Sequence, residues 1–161
     1  MAIMAISLSA CQVPPLDVYY SMNNNTNFSQ YKSFSVSSTS ISDKVFLDVL
    51  TRKISTVLED KGYRQEAESK ADLVVVYHID IDQGEKIKQE AIPVKGNIYT
   101  RATLEAVYEA QILVNVVDTK TKMVVWKASS SRDLTNIDTS KIDEEKAHQR
   151  MLELFESFPA Q

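Results

Sequence analysis

The chain has 161 residues with a net charge of −4 and a pI near 5.2, enough for one ordinary domain and a real core. That charge gives no global basic field, so nucleic acid is not expected as a partner. With 43% hydrophobic and 25% charged residues and only 3 Gly and 4 Pro, the composition excludes a low-complexity chain.

The first feature in chain order is an apolar run, Met1 to Leu8, that passes through Ser9 and Ala10 into Cys11. A short apolar segment followed by small residues is the form of a removable export signal. Leu8-Ser9-Ala10-Cys11 resembles the lipobox of bacterial lipoproteins. The resemblance implies cleavage between Ala10 and Cys11, with lipid carried on the Cys11 thiol and on its new amino group. No Lys or Arg precedes the run, so the true start is expected upstream. Two acyl chains suffice for stable anchoring where one is marginal. Gln12 stands where an inner-membrane retention signal would carry Asp, which implies the outer membrane. Cys11 is the only cysteine, so its acylation leaves no thiol for a disulfide, a metal or a nucleophile. No later segment approaches the ~20 apolar residues of a membrane span.

Residues 1–10 are thus assigned to the signal, 11–27 to a tether with a short edge strand, and 28–159 to a single domain. In the tether, Leu16, Val18, Tyr20 and Met22 alternate with other residues and predict the edge strand. An Asn-rich loop leads to a second strand, Tyr31 to Val36. Ser42 and Asp43 suit a helix start. Val45, Phe46, Val49, Leu50, Ile54, Val57 and Leu58 then form an apolar stripe at helical spacing. Gly62 ends this helix because it accepts the left-handed conformation, and Tyr63 folds back over the last turn.

Leu73, Val75, Tyr77, Ile79 and Ile81 share one face of the next strand, which is expected to end near Asp82. The charged stretch from Gln83 to Gly96 is expected as a weakly structured loop. A long alternating strand follows, half-buried on the side of Ile98 to Val116 and bent or bulged near Ala106. Pairing Asp118 with Lys122 leaves a three-residue hairpin loop. It sets Val124, Trp126 and Ala128 opposite Val116, Val114 and Ile112. Thr139 or Ser140 caps a last helix with the stripe Ala147, Met151, Leu154, Phe155 and Phe158, ended by Pro159.

The expected fold is α+β, a mixed four- to five-stranded sheet with two helices packed on one face, in the order β-β-α-β-β-β-α. The strands flanking the first helix should be parallel through a crossover, and the later strands antiparallel.

Several segments together resemble a bacterial lipoprotein family called domain of unknown function 4136. They are Phe28-Ser-Gln-Tyr-Lys-Ser-Phe34, Leu58-Glu-Asp-Lys-Gly-Tyr63 and Ala71-Asp-Leu-Val-Val-Val-Tyr77. Val114-Asn-Val-Val-Asp118 running into Val124-Val-Trp-Lys127 and the closing Phe155-Glu-Ser-Phe-Pro159 complete the set. The family brings no catalytic residues.

Candidate chemistry is sparse. His78, Asp80 and Asp82 lie on one strand face, but neighbours about 7 Å apart seldom close a metal site, and a solvated face is the better reading. Glu105 and Glu109 would be about 13 Å apart on a regular strand, too far for a glycosidase pair. No metal, cofactor or catalytic residue is assigned, and an enzyme is not expected. Val74, Val76, Leu113, Val117, Met123 and Val125 are expected on the uncovered sheet face, as a patch for an envelope protein partner or a homodimer. The expected function is that of a lipid-anchored periplasmic lipoprotein at the outer membrane, acting as an envelope accessory or interaction module. The alternative is a carrier or sensor of a small apolar ligand, with a pocket lined by Tyr77, Tyr108 and Trp126.

Overall fold

The structure is a computed structural model that describes residues 15–40, 44–134 and 143–161. Cys11, Ala10, the Ser42–Asp43 helix start and the Thr139–Ser140 cap lie outside the described residues.

The elements are β1 (Val18–Met22), a 3-10 turn (Phe28–Gln30), β2 (Ser33–Ser38), α1 (Lys44–Asp60), β3 (Arg64–Gln65), β4 (Leu73–Val94), β5 (Asn97–Asp118), β6 (Val124–Asp133) and α2 (Glu144–Leu154). The described strands form one six-stranded mixed sheet in the order β1-β6-β5-β4-β2-β3. As expected, β2 and β4 are parallel across α1, and β4, β5 and β6 are antiparallel. The edge strand foreseen in the tether is β1, antiparallel to β6. The two-residue β3 accounts for the extra strand; it is too short to leave an alternating signal.

Both helices and one sheet face share a single core. Leu50, Ile54, Val57 and Leu58 of α1, and Met151 and Leu154 of α2, pack with Leu73, Val75, Tyr77, Val114, Val116 and Trp126. Val45, expected in the α1 stripe, is exposed, while Phe46 and Leu47 beside it pack on the core. Gly62, at φ +95°, closes α1 as predicted: its N–H donates to Glu59 O at 2.9 Å, and Tyr63 N–H donates to Leu58 O at 3.1 Å. This is a Schellman motif, and Gly supplies its left-handed residue without Cβ strain. The described N-cap of α2 is Asp143, whose carboxylate accepts from Lys146 N–H at 3.0 Å.

The C-terminal residues lock the helical layer to the sheet. The Phe158 ring lies 5.2 Å from Trp126, 5.4 Å from Tyr63 and 5.6 Å from Phe28, centroid to centroid. Trp126 also stacks on Phe155 at 5.3 Å.

Three expectations fail. The charged 83–96 stretch is not a loop: β4 continues through it to Val94 and pairs with β5 up to Asn97, around a turn with Lys95 and Gly96 at positive φ. β5 pairs with β4 through Ala106 without a bulge, and it is buried only toward its end, from Val114. The outer part projects beyond the helices, so Ile81, Ile98, Leu104 and Tyr108 are exposed rather than half-buried. The third concerns the β5–β6 hairpin. Trp126, Ala128 and Ser130 face Val116, Val114 and Ile112, a shift of two residues from the expected pairing. The irregularity between Val116 and Val117 admits an extra residue on β6, and Lys122 takes a positive φ of 60° in the loop. Trp126 and Ala128 still face inward, because a shift of two preserves the side of the sheet.

Candidate functional site

The face of the sheet opposite the helices is assembled in three rows that can be followed strand by strand. The first runs Tyr19–Ser129–Leu113–His78, and Thr39 Oγ1 lies 3.2 Å from His78 Nδ1 at its end. The second runs Ser21–Lys127–Asn115–Val76–Ser37. The third runs Val124–Val117–Val74–Ser35. An aliphatic row is therefore separated from Leu113 and Tyr19 by a polar row.

Of the predicted face residues, Val74, Val76, Leu113 and Val117 lie in these rows, and Met123 is exposed at the end of the hairpin loop. Leu113 is 43% exposed. Val125 is the correction. It is only 4% exposed and belongs to the core, because the irregularity in the hairpin turns it away from the open face. Val124 takes its place opposite Val117. Sequence periodicity could not show this, since an extra residue breaks the period of two at that point.

A shallow groove of about 420 Å³ lies on this face, lined by Tyr19, His78, Asp80, Gln111 to Leu113 and Ser129 to Ser131. Tyr19, 75% exposed, forms one wall. Sequence reading missed Tyr19 and Ser129 because the partner of β1 was unknown; the polar Ser129–Ser131 run gave no hint that β6 lies beside it. The groove continues over Ser21 and Lys127 on the β1 side. Its walls offer an aromatic ring, aliphatic carbons, an imidazole, an amide and hydroxyls. Such a set suits a peptide or another amphipathic surface through hydrogen bonds and apolar contact.

Among the described residues of this face, His78 and Asp80 are the titratable groups that line the groove beside Tyr19. Among the described residues no three His, Cys, Asp or Glu side chains gather as a cation site. Glu105 and Glu109 project from the same side of β5, and Glu105 is engaged by Lys88 Nζ at 3.2 Å. Tyr77, Tyr108 and Trp126 do not line a common pocket: Tyr77 and Trp126 are fully buried in the core, and Tyr108 sits on the exposed projection. The pocket expected from these three residues fails because the helices fill that space.

Three perturbed groups, Tyr31, Asp72 and Asp118, instead tie loops together at one end of the sheet. Tyr31 O–H donates to Asp118 Oδ2 at 2.8 Å, while Asp118 Oδ1 accepts from the N–H groups of Lys120 (2.7 Å) and Thr121 (3.1 Å). Burial and the adjacent Asp118 carboxylate push the Tyr31 phenol up to about 12. Burial would raise Asp118, but the hydrogen bonds it accepts outweigh that and hold it below the usual carboxylate range. Asp72 is likewise held low, chiefly by the Lys32 N–H, with Ser33 N–H and Oγ also donating. This network fixes the β5–β6 turn against the start of β2. Its Tyr31–Asp118 bond is buried and the rest part-buried or exposed, and it serves the fold.

The family model described as Domain of unknown function (DUF4136) matches residues 18–160. The chain belongs to this family. Among solved structures, a DUF4136 family protein from Bacteroides thetaiotaomicron is similar at 13% identity and TM-score 0.53, covering 90% of this chain and 96% of that one. The PelC dodecamer from Paraburkholderia phytofirmans is similar at 11% identity and TM-score 0.56, over 91% of this chain and 99% of that one. A PDZ domain protein from Parabacteroides distasonis matches with TM-score 0.56 at 14% identity, but the chain spans only 36% of its length. These likenesses establish a shared fold. No curated protein matches the chain. Among the described residues no helix is long and apolar enough to cross a membrane.

Proposed function

We propose that this DUF4136 protein is a lipid-anchored periplasmic lipoprotein that works without catalysis, as an accessory or interaction module of the bacterial envelope. Cys11 carries the lipid after cleavage from Ala10, and the periplasmic face of the outer membrane is the surface reached. The observation that carries the interaction role is the groove on the uncovered sheet face, with Tyr19 and Leu113 exposed beside hydrogen-bonding groups. The place of β1 supports combining the two parts. Val18 follows Cys11 by seven residues, and an extended chain covers at most ~3.5 Å per residue. A lipid on Cys11 would hold the β1 wall of the groove within about 25 Å of the membrane surface. The partner is then another envelope component. That PelC, a protein of the same fold, is a dodecamer supports a fold suited to assembly.

The experiment is a photo-reactive residue at Leu113 in cells expressing the protein with its native upstream sequence. A control probe sits at the exposed Asp60 at the far end of α1. The N-terminal peptide of the same membrane preparation is weighed beside a Cys11→Ser variant. An acylated peptide beginning at Cys11 and a discrete adduct from position 113, absent from position 60, support the reading. A peptide retaining Met1 removes the anchor; adducts equal at both positions remove the groove.

A further inference from the structure

Past Asp82 the β4–β5 pair leaves the other described strands of the sheet. β2 accompanies β4 only to Tyr77, and β6 accompanies β5 only as far as Glu109. Counted from Ile81, the first exposed residue of β4 on the helix side, the two strands continue together from Ile81↔Ala110 to Val94↔Asn97. At ~3.3 Å per residue this arm is about 45 Å long. An isolated two-stranded ribbon is marginal in water unless one face is covered.

The two faces of the arm differ. One is ionic: Lys88 Nζ lies 3.2 Å from both Glu90 and Glu105 carboxylates. The other continues the buried face of the sheet. On β5 it carries Ile98, Thr100, Ala102, Leu104, Ala106, Tyr108 and Ala110; on β4 it carries Ile81, Gln83, Glu85, Ile87, Gln89, Ala91 and Pro93. Ile87 and Leu104 face each other across the strands and are 63% and 67% exposed.

We propose that this face packs on the same face of a second copy, the two arms lying antiparallel about a two-fold axis at the Ile87–Leu104 pair. This pair stands at the middle of the arm. Rotation about an axis there sets Ile87 and Leu104 against themselves. It also sets each Glu85 against the partner's Gln89, whose amide can donate to the carboxylate, and each Ile81 against the partner's Pro93. No like charges meet; Gln83 falls against the partner's Ala91 and Thr100 against the partner's Tyr108, whose hydroxyl can bond it, while Ile81, Ile87, Pro93, Ile98 and Leu104 meet apolar residues. An isologous interface requires this self-complementarity.

The helices decide the direction. They cover the same side of the sheet as the apolar face of the arm. Parallel arms would drive two helical layers into one gap of ~10 Å, the spacing of packed sheets. Antiparallel arms put each tip near the other copy's helices. A ribbon two strands wide at ~4.8 Å spacing has a face of roughly 450 Å² in plan. Pairing two such faces buries on the order of 1,000 Å², at the threshold for a specific interface. A lipid surface fits the face less well, because Glu85 and two glutamines lie within it, while Lys86, Lys88 and Arg101 stand on the opposite face, where Lys88 is bridged to Glu90 and Glu105.

The inference uses a surface separate from the groove and does not depend on acylation. The test therefore uses the full chain carrying Cys11→Ser, which has no native thiol. In that background Leu104→Cys is expected to give a covalent dimer under mild oxidation. Thr103→Cys, on the opposite face, should give only traces. Sedimentation should show the mass rising from 18.2 kDa to twice that value with concentration. Leu104→Glu, met twice in a symmetric interface, should weaken dimerisation by at least about thirtyfold, and Thr103→Glu by less than about threefold. Near-ultraviolet dichroism of the buried Trp126 reports whether each variant keeps its core. A chain that stays monomeric without position-104 cross-links, equal cross-linking at both positions, or an unchanged dimer in Leu104→Glu would overturn the proposal. So would a monomer that binds phosphatidylethanolamine–phosphatidylglycerol vesicles and loses that binding in Leu104→Glu, which would assign the face to lipid.

Discussion

Replacing Phe158 by Ala should cost about 4 kcal/mol of folding stability, although the residue lies four positions from the end of the helix and near the end of the chain. The ring is 2% exposed. Removing about 150 Å² of buried apolar surface at about 25 cal/mol/Å² gives about 4 kcal/mol. The neighbouring rings come from separate places in the chain: Phe28 from the 3-10 turn, Tyr63 from the end of α1, Trp126 from β6 and Phe155 from the end of α2. Four anchored rings cannot all move inward, so the cavity stays partly open and the loss stays in the upper part of the ~3–5 kcal/mol range for Phe→Ala. Urea unfolding followed by Trp126 fluorescence is the assay, since Trp126 is the only tryptophan and touches the substituted ring. A loss below about 1.5 kcal/mol, with an unchanged slope against denaturant, would refute the reasoning. It would mean that the C-terminal residues do not close the core.

Gly62→Ala should destabilise by about 1–2 kcal/mol, because the left-handed φ of 95° is retained and the new Cβ would meet Gln161 Cβ at 3.0 Å; thermal unfolding of the two chains measures it. Stability should fall as pH rises from 10 toward 12. The folded chain holds the Tyr31 phenol neutral, with its pKa raised to about 12, so this contribution is complete below pH 10 and lost as the folded group ionises. Tyr31→Phe should flatten that part of the urea-midpoint profile. Tyr63, raised by burial, leaves a residual slope. At the acid end Asp72 and Asp118 are depressed, so their contribution is present above about pH 4 and is lost as pH falls through their folded values.

The interior of this fold was legible wherever one face of an element meets the core. Val49 to Leu58 and Leu73 to Ile79 show their periods plainly, because each has helices or sheet on one side and water or loop on the other. Gly62 was legible because a left-handed residue at a helix end has one common solution. What failed was register. The loop from Asp118 to Met123 and the extra residue Val125 set the pairing of β6, and turn chemistry of this kind leaves no periodic trace. The site inherits that limit. Val125 was assigned to the open face by counting in twos, and Tyr19 was overlooked because only strand order brings β1 beside β6.

The arm was missed for a different physical reason. Burial writes the alternating pattern into a strand, and among the described residues none covers either face of the ribbon beyond the sheet. On β5 the pattern survives, with alternate positions from Ile98 to Ala110 apolar or small apart from Thr100, and that strand was foreseen. On β4 the same face holds Gln83, Glu85 and Gln89 between Ile81 and Ile87 or beyond it, so it reads as a charged loop. The structure shows that the two strands are one object, since every residue from Ile81 to Val94 pairs with one from Ala110 to Asn97. The asymmetry between them is then informative. A face kept apolar on one strand and sprinkled with neutral amides and one carboxylate on the other is not designed for deep burial in a core. It matches a surface that must remain soluble alone and still pair when its complement arrives.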